Sequence, residues 1–240
     1  MGERKDAAQK MRDIGNSTVD NNQSSSGLQN IVIMLEEKAY EEAIKCLLSR
    51  LIGQKDLNII CCNLSNEKER EANIVTALSL QMRTECNKTI ICIADANNHP
   101  QKQKKVLLDL LKDHKFFIQE DTVETGIVAE KGGVKVGIWM MPNNKDKGTY
   151  ADFYLTSAKI KPEISQYISD ILEDMEKKGI VKYTHSQREA ARFFTYLAWQ
   201  PNPSRSNEQL YTAENFNFDT TLYKNFIKWL NSLIPVHEEA

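Results

Sequence analysis

Three consecutive units, each a short apolar segment followed by an amphipathic one, constrain the fold of this chain most strongly. The apolar segments at 31–35, 57–62 and 88–94 are typical of buried strands. The segments that follow them, at 37–52, 65–83 and 101–113, repeat apolar residues at helical spacing. Strands that alternate with helices predict an α/β fold with a mainly parallel sheet flanked by helices.

The pattern changes after residue 118. Two strand-like segments, 127–131 and 134–140, flank Gly132-Gly133, which predicts a tight β-hairpin added to the parallel sheet. From about residue 149 the pattern is helical, and the longest predicted helices cover 164–175, 187–198 and 222–233. Residues 1–29 are polar and rich in Asn and Ser, which predicts a disordered tail. We therefore expect one α/β domain over residues 30–240 with a helical C-terminal extension.

Composition narrows the classes of function. The 240 residues include 31 Lys and Arg against 33 Asp and Glu, so nucleic-acid binding would require a local basic surface. No apolar run reaches the roughly 18 residues of a membrane span, and the polar start lacks a secretory signal, so we expect a cytoplasmic protein away from membranes. Zinc-ligand spacing is absent, and we expect reduced core thiols at the cysteines, Cys46, Cys61, Cys62, Cys86 and Cys92.

Two acidic residues follow predicted strands directly. Glu36 comes after the first strand and Asp95 after the third. Ligands of parallel α/β sheets bind at the carboxyl ends of the strands, so if these two strands are neighbours, both carboxylates face one crevice and suit Mg²⁺. The alternative for Glu36, and for Glu37 beside it, is a solvated acid that complements a helix dipole. The alternative for Asp95 is a helix cap.

This arrangement resembles the Toprim fold, in which an acid after the first strand and an Asp-x-Asp pair after a later strand hold a metal. Asp95-Ala96-Asn97 stands in the Asp-x-Asp place. Other stretches resemble a Toprim-related bacterial family, the domain of unknown function DUF3226, over about residues 30 to 234. They are Val136-Gly137-Ile138-Trp139-Met140-Met141-Pro142-Asn143-Asn144, Gly148-Thr149-Tyr150-Ala151-Asp152-Phe153, Leu197-Ala198-Trp199-Gln200 and Trp229-Leu230.

The resemblance implies a Toprim-type nuclease, or a related phosphodiester enzyme, that uses Mg²⁺ or Mn²⁺. Asp95 would be the principal metal ligand, Asn97 a neutral ligand, and Glu36 a second ligand or general acid/base. Asp152 would be a further ligand if its helix folds back over the strand ends. Similar Toprim proteins imply a role in anti-phage defence or nucleic-acid processing alongside a partner ATPase. The sequence leaves the oligomeric state open, and a homo-oligomer is compatible with it.

The chain departs from the Toprim pattern where the chemistry would occur. Glu37 stands in the place of a glycine, Ala39-Tyr40 in the place of an acidic pair, and Ala151 in the place of a glutamate. Asn97 removes one negative charge from the predicted metal site, which weakens its affinity for a metal. The alternative function is therefore a catalytically degenerate Toprim-like domain that acts as a nucleic-acid-binding or regulatory subunit of a larger complex.

Basic and aromatic residues offer further candidates. We expect the three tryptophans, Trp139, Trp199 and Trp229, to be core residues, with base stacking as the alternative. The basic clusters are typical of solvated helix faces, with phosphate contacts as the alternative; they are Lys102, Lys104, Lys105, Lys112 and Lys115, and Lys145, Lys147, Arg188 and Arg192. A Rossmann-like nucleotide binder is disfavoured, because Glu36-Glu37-Lys38 supplies no phosphate-binding glycine.

Overall fold

The computed structural model describes residues 30–53, 59–61, 67–83, 87–203 and 206–234. The predicted tail over 1–29 lies outside the described residues, as do Cys62 and Cys86. The strands are β1 (Asn30–Leu35), β2 (Ile59–Cys61), β3 (Lys88–Asp95), β4 (Phe117–Thr122), β5 (Gly126–Lys131) and β6 (Val134–Met141). The helices are α1 (Glu41–Ile52), α2 (Glu67–Met82), α3 (Pro100–Asp113), α4 (Tyr150–Ser157), α5 (Pro162–Lys177), α6 (Arg188–Ala198), α7 (Ser206–Gln209) and α8 (Thr221–Leu233). Two short 3-10 turns cover Lys38–Tyr40 and His185–Gln187.

The six strands form one mixed sheet in the order β2-β1-β3-β6-β5-β4. Strands β2, β1, β3 and β6 run parallel to one another. Strand β5 pairs antiparallel with both β6 and β4. The predicted α/β fold with a mainly parallel, helix-flanked sheet is therefore confirmed. Strands β1 and β3 are neighbours, with Leu35 opposite Ile93. Their carboxyl ends consequently lie side by side.

The hairpin has a larger role than the sequence predicts. Gly132 and Gly133 have φ angles of 54° and 81°, so the tight turn between β5 and β6 is confirmed. However, β6 also pairs in parallel with β3, which makes it an inner strand and not part of a peripheral addition. Strand β4 was not predicted from the sequence. It is an edge strand with mostly exposed residues, so it carries no alternation of apolar and polar positions.

The sheet separates two hydrophobic cores. Alternate residues of its inner strands, such as Ile33, Ile91 and Trp139, pack on one face against α1, α4, α6 and α8. Their neighbours, such as Met34 and Cys92, pack on the other face against α2 and α3. Successive side chains of a strand point to opposite faces, so a strand covered on both faces is apolar throughout. This explains the continuous apolar segments of β1 and β3.

The tryptophans differ in their burial. Trp139 and Trp229 are fully buried with their ring centroids 5.5 Å apart, which confirms them as core residues. The prediction was wrong for Trp199, which is 46% exposed. It follows the last residue of α6 and lies off the buried stripe of that helix, which consists of Phe193, Tyr196 and Leu197.

The structure also bears on the thiols and on membrane insertion. Within the described residues Cys46, Cys61 and Cys92 form no disulfide, and they pack within or beside the two cores. Within the described ranges, no helix has the length and apolar character needed to cross a bilayer.

Candidate functional site

Glu36 and Asp95 lie together at the carboxyl ends of β1 and β3. Glu36 directly follows β1, and its backbone N–H donates to Ile93 O at 3.1 Å, which continues the pairing of the two strands. Asp95 is the last residue of β3. The side chains are buried, with residue exposures of 4% for Glu36 and 6% for Asp95. The predicted adjacency of the two acids is therefore confirmed.

Both carboxylate oxygens of Glu36 accept hydrogen bonds from within the protein. Oε2 accepts the backbone N–H of Asp95 and the side-chain amide of Gln103, each at 3.0 Å. Oε1 accepts from Asn97 Nδ2 at 3.2 Å. Glu36 therefore attaches the loop after β3 and the first turns of α3 to the end of β1. A buried carboxylate with these donors has a structural function that a solvated helix-start acid lacks.

Asn97 is held from two sides. Its φ angle is 49°, in the left-handed region that Asn tolerates better than most residues. Its backbone pairs with Gly148 through N–H to O bonds of 2.8 and 2.9 Å. Because Nδ2 donates to Glu36 Oε1 and to Asp95 O, the Oδ1 atom is the part of the Asn97 side chain that stays available to a ligand.

Asp95 is only half satisfied by the protein. Its Oδ1 accepts the backbone N–H of Tyr150, the first residue of α4, at 3.0 Å. Its Oδ2 accepts no hydrogen bond from any residue in the described part of the chain. Burial and the nearby charge of Glu36 raise the pKa of Asp95 well above its usual value, and the Tyr150 N–H offsets this only in part.

Asp152 caps α4. Its Oδ2 accepts the backbone N–H of Thr149 at 2.7 Å and the Thr149 hydroxyl at 3.2 Å, completing a capping box. Burial raises the pKa of Asp152. Gly148 makes this arrangement sterically feasible, because a Cβ there would lie 2.8 Å from Asp152 Oδ2. The first turn of α4 lies beside the end of β3, because Tyr150 N–H bonds to Asp95 Oδ1.

A cleft of about 700 Å³ opens at this edge of the sheet. Asp95, Asn97, Gly148 and Asp152 form one wall, and the His185–Gln187 turn and the first turns of α6 form the other. Phe194 of α6 is 41% exposed and lines the cleft. Its ring stacks on that of Tyr40, with centroids 5.8 Å apart and planes 4° from parallel. The cleft thus combines buried oxygen acceptors with an exposed aromatic ring.

Most charges in the cleft are negative. Glu37, Asp95, Asp152 and Glu189 line it, together with Lys147 and Arg188. Arg188 is paired with Glu176 at 3.0 Å, while Lys147 is exposed. Burial raises the pKa of the Tyr40 phenol, and the nearby charge of Asp95 raises it further. Acidic residues therefore outnumber Lys and Arg in the lining of the cleft.

The basic clusters are divided by the fold. The five lysines between 102 and 115 do not line the cleft; four are exposed, and Lys104 pairs with Asp121 at 2.6 Å. Arg192 donates to Glu189 and Ser165. Of the basic residues singled out in the sequence, only Lys147 and Arg188 line the cleft.

The predicted metal ligands do not form a preassembled metal site. Among the residues that the structure describes, no group of three or more His, Cys, Asp or Glu side chains could hold a metal ion. Glu36 is bonded to N–H donors through both oxygens and does not line the cleft, and Asp152 Oδ2 serves the helix cap. Asp95 Oδ2 and Asn97 Oδ1 remain, so a Mg²⁺ ion held there would need water or ligand oxygens for most of its octahedral coordination.

Three residues of the site were not predicted from the sequence. Gln103 lies four and eight residues before the buried Leu107 and Leu111, so it is on the same face of the helix. A polar residue on this apolar face is the sequence signal that could have identified it. Phe194 follows the buried Phe193 and is itself 41% exposed, a difference between the two rings that no local sequence signal reveals. No sequence signal identifies Tyr150, which acts through its backbone N–H.

Comparisons with known proteins give one match. Searches of curated proteins and of solved structures found no similar chain. The family described as protein of unknown function DUF3226 matches residues 28–235, which include every strand, every helix and the cleft described above. The chain therefore belongs to the DUF3226 family.

Proposed function

We propose that this chain is a Toprim-related domain without nuclease activity, which acts as a regulatory binding subunit of a larger assembly through the cleft beside Asp95. The observation that carries the proposal is the engagement of Glu36. Its two oxygens accept three N–H donors, from Asp95, Asn97 and Gln103. A metal ligand would have to give up part of this network, and buried donors left without acceptors are costly.

The charge of the cleft favours a regulatory over a nucleic-acid-binding function. Nucleic-acid affinity is dominated by phosphate contacts with Lys and Arg. Glu37, Asp95 and Asp152 line the cleft, and one of its two Lys or Arg side chains, Arg188, is already paired with Glu176. These charges repel a phosphate backbone and attract a partner that carries donors or positive charge.

The test is a metal titration combined with a cleavage assay. Mn²⁺ is titrated calorimetrically into the full chain, and cleavage of single-stranded DNA, double-stranded DNA and RNA is assayed with Mg²⁺ and Mn²⁺. We expect no cleavage and no saturable heat that depends on Asp95. The matched control is Asp174→Ala, since Asp174 is an exposed acid on α5, paired with Lys178 at 2.6 Å and outside the cleft.

The second candidate function is a divalent-metal-dependent phosphodiester enzyme. The observation that favours it is the pair of oxygens, Asp95 Oδ2 and Asn97 Oδ1, that take no hydrogen bond within the described residues. Cleavage that requires Mn²⁺, is lost in Asp95→Ala and is kept in Asp174→Ala would establish this candidate and overturn the first.

A further inference from the structure

The cleft contains a buried acceptor that lacks a donor. Asp95 is 6% exposed, and its Oδ2 accepts no hydrogen bond from the described residues, although the side chain lines the cleft. A buried polar atom without a partner costs free energy, so native proteins satisfy such atoms with protein, water or ligand. Asn97 Oδ1 is a second acceptor on the same wall. The ligand that fits these two oxygens supplies N–H or O–H donors.

Charge narrows the class of ligand. Glu36, Glu37 and Asp152 all act on Asp95 with the same negative sign, and the charges of Asp95, Glu37 and Asp152 act on the hydroxyl of Tyr40. Of the two Lys and Arg residues that line the cleft, Arg188 is paired with Glu176 and Lys147 is exposed to solvent. A cationic group bound beside Asp95 would compensate the buried negative charge, whereas an anion would be repelled.

The stacked rings of Phe194 and Tyr40 narrow the class of ligand further. The exposed face of Phe194 is backed by the parallel ring of Tyr40, and Tyr40 in turn contacts Tyr150, whose N–H bonds to Asp95. The ring of Phe194 on one wall of the cleft and the buried Asp95 on the other are therefore linked through Tyr40. Carboxylates combined with an aromatic face suit guanidinium, which is planar, always charged, weakly hydrated and rich in donors.

From these contacts, and resting on the regulatory function proposed above, we infer that the cleft binds an arginine side chain presented by a protein partner. Asp95 Oδ2 and Asn97 Oδ1 accept guanidinium N–H groups, and the aliphatic part of the side chain packs on Phe194. A volume of about 700 Å³ exceeds one side chain and leaves room for the adjoining peptide. An ammonium group is compact and strongly hydrated, so lysine binds more weakly in the same place.

The experiment uses the full ¹⁵N-labelled chain and three small ligands: the N-acetyl methylamides of arginine, lysine and citrulline. Citrulline keeps the shape of arginine without its charge. We expect saturable shifts of the Tyr150 and Asn97 amide signals with arginine, weaker binding with lysine, and none with citrulline. Because the hydrogen bond to a charged group is lost, Asp95→Asn should weaken arginine binding about tenfold or more. Phe194→Leu should weaken it several-fold by removing the ring.

The control is Asp174→Asn, which neutralises an exposed acid outside the cleft and should leave the affinity unchanged. Equal binding of citrulline and arginine, or saturation without a shift of the Tyr150 amide, would overturn the inference. If Asp95→Asn does not fold, the comparison of arginine with citrulline on the unaltered protein still decides. Absence of arginine binding in a protein that also lacks cleavage refutes this inference alone, whereas Asp95-dependent cleavage refutes the proposed function.

Discussion

The carboxylate of Glu36 accepts the backbone N–H of Asp95 at 3.0 Å, so one acid at the sheet edge positions the other. The two residues are 59 positions apart and lie at the carboxyl ends of adjacent parallel strands. Because the same carboxylate also accepts from Asn97 and Gln103, it organises the whole wall of the cleft that carries Asp95. This relationship makes Glu36 a positioning residue and Asp95 the residue that meets a ligand.

Replacing Glu36 by Gln should destabilise the protein. Gln offers one acceptor oxygen where the network uses two, and its amide group faces the donor of Asp95 or of Asn97. We expect a loss of about 1–3 kcal/mol in the free energy of unfolding, measured by urea denaturation. Glu124→Gln, in an exposed turn, is the control and should change stability by less than about 0.5 kcal/mol. Equal effects of the two changes would show that the network contributes nothing.

Replacing Asp95 by Asn should stabilise the protein at neutral pH. Burial and the charge of Glu36, with smaller contributions from Glu37 and Asp152, raise the pKa of Asp95 in the folded state. As the pH rises, Asp95 therefore loses its proton in the unfolded chain before it does so in the folded protein. The free energy of unfolding consequently falls as the pH rises from the pKa of the unfolded state to the pKa of the folded state.

The Asp95→Asn variant carries no titrating group at this position and avoids this loss. Its melting temperature at pH 7 should therefore exceed that of the unaltered protein by about 2–4 °C for each kcal/mol gained in the free energy of unfolding. The advantage contributed by this group should disappear near pH 4, which thermal unfolding across that range would reveal. Asp174→Asn is the control for neutralising an acid. A melting-temperature difference that is constant with pH would contradict the raised pKa of Asp95 in the folded protein.

Gly137 should tolerate no side chain. A Cβ there would lie 2.0 Å from Leu233 Cδ1, because α8 packs directly on β6 at this position. We expect Gly137→Ala to cost about 1–3 kcal/mol in denaturant unfolding, through overpacking. The double variant with Leu233→Ala should lose less than the sum of the two single changes, since the clash is removed. If the losses of the two single variants add up to that of the double variant, the contact with Leu233 is not the cause of the destabilisation.

Asn97→Asp should lower stability, and Mn²⁺ should not restore it. The substitution replaces the donor to Glu36 Oε1 with a second carboxylate facing the first. We expect the free energy of unfolding to fall by about 1–3 kcal/mol. Thermal unfolding with and without Mn²⁺ measures this change. Asn97→Ala separates loss of the donor from added charge. If Mn²⁺ raises the melting temperature of Asn97→Asp alone, the natural site lacks only the negative charge of a second aspartate to bind the metal, which would contradict this prediction.

Trp199 should account for the solvent-quenchable fluorescence of the described region. It is 46% exposed, whereas Trp139 and Trp229 are fully buried. Replacing Trp199 by Phe should therefore leave emission that acrylamide quenches weakly, and replacing Trp139 should leave the quenchable component. Unchanged quenching in the Trp199 variant would contradict this burial.

Much of the fold could be predicted because its signals are local. The alternation of apolar strands and amphipathic helices is visible in windows of a few residues, and the hairpin turn follows from Gly132-Gly133. Strand β4 was missed because an edge strand with exposed side chains has no hydrophobic periodicity. The inner position of β6 was missed because pairing with β3 depends on contacts more than 40 residues apart, which no local pattern encodes.

By itself, the amino-acid sequence determined the α/β class, the family, and the placing of Glu36 and Asp95 at strand ends. The tertiary structure alone decided what each side chain does there: Glu36 is satisfied by donors 59, 61 and 67 residues away, and Asp95 keeps one oxygen open to the cleft. The physical reason is that strand order, register and helix packing choose hydrogen-bond partners across the chain, and two carboxylates of similar sequence context thereby acquire opposite roles.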